Sequence, residues 1–221
     1  MILPPSAQGQ SDEGHQWSRR AFVVSLVGVP AALRPRRPES SLADLSKDGT
    51  QSTTGTHTRN PRLTARPRRP FRPVAPGQTR IGEGLERGGY LFVPQSYQED
   101  TPAPLMVALH GGGGHAGRWS ELYESCERAG VILAAPDSRT RTWDRVMGDF
   151  GPDVAFIDAL MRYTFERCVI DPTRIALVGF SDGASYTLSL GPSNGDLFTH
   201  LMAWSPGFSD PEAPIVGQPN V

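Results

Sequence analysis

Cysteine is nearly absent from this chain of 221 residues: there are two, Cys126 and Cys168. Their spacing matches no metal-ligand motif and no disulfide framework. Both are expected as small apolar side chains within helices. Long hydrophobic runs are missing too, and without some 18 consecutive apolar residues no spanning helix and no stable membrane insertion are expected. A Gly-Lys-Ser/Thr phosphate loop and a dinucleotide fingerprint on the first βα turn are absent, so neither a nucleotide nor any other cofactor is expected, and no metal. Aromatic residues are few among the basic ones, so nucleic acid is not an expected partner.

Charge is unevenly placed. The net charge of −1 covers 13 basic and 5 acidic side chains in residues 1–80, against 9 and 18 in residues 81–221. Near the start, Ser18-Arg19-Arg20-Ala21-Phe22-Val23 resembles the twin-arginine export signal of bacteria, and the apolar run Ala21–Leu33 has the length of a signal core. Residues 1–33 are therefore expected to engage the bacterial export machinery and lead to a periplasmic or extracellular location, with a cytoplasmic protein as the alternative. Residues 34–80, rich in Arg, Pro, Ser and Thr, read as a disordered linker because they bring too little apolar surface to offset their ordering entropy.

From residue 81 onward, apolar runs alternate with helical patterns. Strands are expected at Gly89–Pro94, Ala103–His110, Val131–Ala135, Arg174–Val178 and His200–Ser205. Helices are expected at Trp119–Ala129, closed by Gly130, at Pro152–Arg167 with an apolar stripe at Phe156, Ile157, Leu160, Met161 and Tyr163, and from Ala184. A polar loop spans Ser138 to Gly151. This alternation predicts an α/β domain with a mostly parallel sheet.

Two glycine-rich turns carry the chemistry. Gly179-Phe-Ser-Asp-Gly183 fits G-x-S-x-G directly after a strand and before a helix. Such a sharp turn leaves no room for β-carbons beside the serine, and it aims Oγ at a helix N-terminus, where negative charge is favoured. Ser181 is the candidate nucleophile, supported by Gly179 and Gly183. Earlier, His110-Gly111-Gly112-Gly113-Gly114 ends a strand. Glycines there let backbone N–H groups approach an oxyanion, with the amides of Gly112 and Asp182 as expected donors and His110, Gly111 and Gly113 in support.

The blocks LHGGGG at Leu109–Gly114, APDSR at Ala135–Arg139, GFSDGASY at Gly179–Tyr186 and SPGF at Ser205–Phe208 resemble the α/β-hydrolase superfamily. Within it they are similar to bacterial esterases related to phospholipase/carboxylesterases and polyhydroxybutyrate-depolymerase-like proteins. The resemblance implies an α/β-hydrolase fold with helices on both sheet faces. It also implies a serine carboxylic ester hydrolase acting on a small or polymeric ester, and a substrate pocket lined by the loop after the third strand, with Trp143 as its wall. In that superfamily the acid and the histidine of the triad follow the serine. Residues Gly217–Val221 stand where the next strand is expected to begin, so both partners are expected beyond them, with the domain at 81–221 partial and weakly active or inactive. Asp210 and His115 are the candidate substitutes for acid and base. The alternatives are a catalytically dead fold with a binding role, and a peptidase or thioesterase of the same fold.

Overall fold

The computed structural model describes residues 60–221. The expected export signal and the first part of the expected linker lie outside the described residues. Six strands form one sheet: β1 (Gly77–Ile81), β2 (Gly89–Val93), β3 (Ala103–Leu109), β4 (Ile132–Pro136), β5 (Ile170–Phe180) and β6 (His200–Trp204). Their spatial order is β1-β2-β4-β3-β5-β6. β1 and β2 pair antiparallel, β2 runs antiparallel to β4, and β4, β3, β5 and β6 are mutually parallel. The helices are α1 (Tyr123–Ala129), α2 (Asp144–Met147), α3 (Pro152–Phe165) and α4 (Asp182–Leu190).

Because successive strand residues face opposite sides, β2, β3 and β4 contribute to two cores. Leu105, Val107, Ile132, Ala134, Ile175 and Leu177 join the larger one beneath α3 and α4. Phe92, Leu133 and Ala135 turn the other way, toward Ala116 and Cys126 on the 3₁₀ turn Ala116–Leu122 and α1. On that second side no described helix covers the β5–β6 half, and Phe180 and Trp204, which are register partners, stand about half exposed.

Several expectations need correction. The helix expected at Trp119–Ala129 is a 3₁₀ turn leading into α1, and Gly130 ends it at φ 64° as the pattern predicts. β5 begins four residues earlier than expected, across a register shift opposite Ala103–Leu105. Cys168 is buried in the turn after α3 rather than inside a helix. Burial pushes the thiols of Cys126 and Cys168 up to about 11 and about 12.

The linker reading fails for residues 60–80. Leu63 and Ala65 are buried. The Leu63 amide donates to Asn194 Oδ1 at 2.8 Å, and the amides of Thr64 and Ala65 donate to Asp158 Oδ1 at 2.7 Å each. Arg62 clasps Asp196 with two bonds of 2.8 and 2.9 Å, which holds that carboxyl down at about 2. A few polar anchors on α3 and the 192–194 turn therefore order a strap whose own composition is hydrophilic, and β1 continues it into the sheet.

Candidate active site

At the C-terminal end of β5 the chain reverses into α4 within one residue. Ser181 takes φ 52°, ψ −118°, a conformation that costs a non-glycine residue of order 1–3 kcal/mol. Its neighbours leave no choice of side chain. A β-carbon on Gly179 would stand 2.1 Å from the Gly183 carbonyl oxygen, and one on Gly183 would stand 2.3 Å from that of Leu109. The turn is tied to the sheet by the Ser181 amide, which donates to the Trp204 carbonyl at 2.9 Å.

The glycine loop after β3 lies directly against this turn. A β-carbon on Gly111 would be 3.4 Å from Ser181 Cβ, and one on Gly112 would be 2.3 Å from Asp182 Oδ2. Gly113 donates its amide to the Arg141 carbonyl and Gly114 donates to that of Gly111, at 2.8 and 2.9 Å. Among the described residues the amides of Gly112 and Asp182 have no acceptor. Two N–H groups thus remain available beside Ser181, one on the loop and one in the first turn of α4.

His110 is 2 % exposed and supports this loop from beneath. Its Nε2 accepts the Ser138 amide at 3.0 Å, and Nδ1 lies 2.8 Å from the Gly111 carbonyl. With Nε2 accepting, Nδ1 is the protonated nitrogen, and burial depresses the imidazole below its ordinary value. Arg87 reaches the same place, donating to the Gly114 carbonyl at 3.0 Å. Asp137, at the end of β4, accepts from the amides of Ala116 and Gly88.

Trp143 is not a pocket wall. It is fully buried, its Nε1 donates to the His110 carbonyl at 2.8 Å, and its ring packs on Tyr186 at 5.2 Å. The supposed polar loop folds inward because Thr142, Trp143 and Phe150 enter the core together. Asp210 is held by Arg145 on α2. His115 is exposed at the start of the 3₁₀ turn, with its ring against Gly117. His200 opens β6 opposite Ala176, while Ser181 follows Phe180, the partner of Trp204 at the strand's other end. Among the described residues no imidazole hydrogen-bonds to Ser181, and no cluster of three His, Cys, Asp or Glu could hold a metal ion.

The buttressing groups Arg87, Asp137, Ser138 and Thr142 escape sequence reasoning, since each acts through a partner distant in the chain. Beside Gly111 a cavity of about 220 Å³ opens, walled by Trp119, Leu122, Phe180 and Trp204.

No protein-family model matches the chain. It is 33 % identical to feruloyl esterase B of Thermothelomyces thermophilus over 119 residues, covering 49 % of this chain and 40 % of that protein. It is 28 % identical to a protein named probable feruloyl esterase C of Aspergillus oryzae over 131 residues, covering 55 % and 47 % respectively. The chain thus spans less than half the length of the curated relatives it matches. Among solved structures, serine hydrolase F of Staphylococcus aureus aligns over 61 % of this chain and 59 % of that one, at 15 % identity and TM-score 0.49. Its mostly parallel sheet flanked by helices is an α/β fold, and over about half its length the chain is similar to these feruloyl esterases.

Proposed function

We infer that this protein is a serine ester hydrolase in which Ser181 attacks the ester carbonyl. The amides of Gly112 and Asp182 bind the resulting oxyanion. The observation that carries this reading is the pair of acceptor-free amides beside a serine held at φ 52° between two obligatory glycines. Donors fixed in advance where charge develops are commonly the largest catalytic contribution, and the N-terminus of α4 adds its positive dipole end. The names of the relatives make feruloyl and other small carboxylic esters the first substrates to assay. The leader at 1–33 is read as an export signal.

His110 cannot serve as the general base, because its Nε2 already accepts the Ser138 amide. His200 begins β6 about 13 Å along the strand from Trp204, at ~3.3 Å per residue. His115 is exposed at the start of the 3₁₀ turn and makes no hydrogen bond to Ser181, so no imidazole among the described residues is in place as the base, and Ser181 is expected to acylate slowly without one. Hydrolysis of p-nitrophenyl acetate and methyl ferulate by the wild type and Ser181→Ala tests the reading. Turnover that depends on Ser181 supports it, and equal rates for the two proteins remove it.

A further inference from the structure

The oxyanion loop is gripped from its outer side by residues 141–143, and one of these contacts reaches the nucleophile turn itself. Thr142 Oγ1 donates to Asp182 Oδ2 at 2.7 Å. That same carboxylate oxygen lies against the Cα of Gly112, so close that a β-carbon there would fall 2.3 Å from it. On either side, the Arg141 carbonyl takes the Gly113 amide at 2.8 Å, and Trp143 Nε1 donates to the His110 carbonyl at 2.8 Å. Thr142 is 8 % exposed, and Thr140 Oγ1 donates to its carbonyl at 2.9 Å.

We propose that Thr142 is a positioning residue: its hydroxyl pins the Asp182 carboxylate against Gly112 and thereby sets the distance between the two acceptor-free amides flanking Ser181. The inference rests on the Ser181 reading for its catalytic consequence, but not for the clamp. Asp182 belongs to both halves of the hole, since its amide opens α4 and its carboxylate bears on the opposite loop. Without the hydroxyl the carboxylate is free to swing, and the Gly112 amide loses the surface that orients it. The glycine at 112 is explained by the same contact, because any side chain would displace Asp182. Catalytic donors need placement to within about 0.5 Å, which is the scale this contact controls.

Thr142→Val removes the hydroxyl at nearly constant shape, and Thr142→Ser restores it. The test reads acetylation of Ser181 by p-nitrophenyl acetate, together with amide hydrogen exchange at 111–114 and 181–183. Thr142→Val is expected to acylate about tenfold more slowly, with a saturation constant within twofold of wild type, and to exchange faster in both segments. Thr142→Ser recovers both readouts. Asp182→Ala reproduces the defect, and combining it with Thr142→Val adds nothing, as coupled partners require.

Wild-type acylation and protection in a folded Thr142→Val protein would overturn the proposal. If Thr142→Val fails to fold, the comparison of wild type, Thr142→Ser and Asp182→Ala decides by the same two readouts. If the wild type itself is not acylated at Ser181, the hydrolase reading falls, and hydrogen exchange alone decides the clamp: faster exchange supports it and unchanged exchange overturns it.

Discussion

Asp144 and Asp153 cap each other's helices. Asp144 Oδ2 accepts the Asp153 amide at 2.8 Å, and Asp153 Oδ2 accepts the Asp144 amide at 2.7 Å. Asp153 Oδ1 also takes the Arg139 amide, while Tyr186, five residues past Ser181, donates its hydroxyl to Asp144 Oδ1 at 3.0 Å. This exchange folds the 138–151 segment inward and brings Thr142 and Trp143 against the glycine loop and the start of α4. It places two carboxylates together in a largely dry setting.

The pair has a titration consequence. Burial, with the Asp144 charge in second place, pushes the Asp153 carboxyl up to about 6, and burial also raises Asp144. A carboxyl raised in the folded state contributes stability below its ordinary 3.8, and this is lost as pH rises through about 6. Carbon-13 titration of Asp153 is expected to show a midpoint near 6, and relative to Asp153→Asn the wild type is expected to lose stability between pH 4 and 7. A midpoint below 4 would contradict the assignment. His110 acts in the opposite sense: its depressed value means that acidification below about 6.5, which protonates the unfolded imidazole first, withdraws stability.

Replacing Gly179 or Gly183 by Ala forces a β-carbon within 2.1–2.3 Å of a backbone oxygen. Relief requires the turn itself to move, so a loss of about 3 kcal/mol or more is expected from chemical denaturation. Ser181→Gly relaxes the unfavourable φ and is expected to leave stability unchanged or slightly raised.

Trp143 gives a direct test of core against pocket. Trp143→Ala is expected to cost about 3–5 kcal/mol of stability. Trp143→Phe is expected to cost about 1–3 kcal/mol, because the buried His110 carbonyl loses its donor. A pocket wall would instead change KM with no effect on unfolding.

On the face of β5 and β6 that no described helix covers, Phe180 and Trp204 form an exposed aromatic pair. Trp204→Lys is expected to reduce concentration-dependent association in sedimentation and to lower the binding of an apolar dye, with α/β secondary structure retained. Unchanged association would show that this face is not what drives self-contact.

The parallel core strands and the serine turn were legible because their signals are local: continuous apolar runs, and glycines fixed by sterics on either side of Ser181. His110 as a brace followed from its place at a strand end. The strap at 60–80 was not legible, since its order depends on Asp158, Asn194 and Asp196, roughly a hundred or more residues away. Trp143 was expected in a pocket wall through the family resemblance alone, and the Asp144–Asp153 exchange that turns its segment inward leaves no local signal. No pattern marks Thr142, whose importance lies entirely in the carboxylate it meets.

We propose Ser181 as a nucleophile held ready beside two open amides, with no imidazole among the described residues hydrogen-bonded to it. Peptide mass analysis of Ser181 acetylation by p-nitrophenyl acetate, with and without added imidazole and with Ser181→Ala as the background, tests it directly. Slow acetylation at Ser181 that rises with imidazole concentration and is absent in the variant is the expected result. Equal, imidazole-independent acetylation of wild type and Ser181→Ala, or none at Ser181 at any concentration, would contradict it.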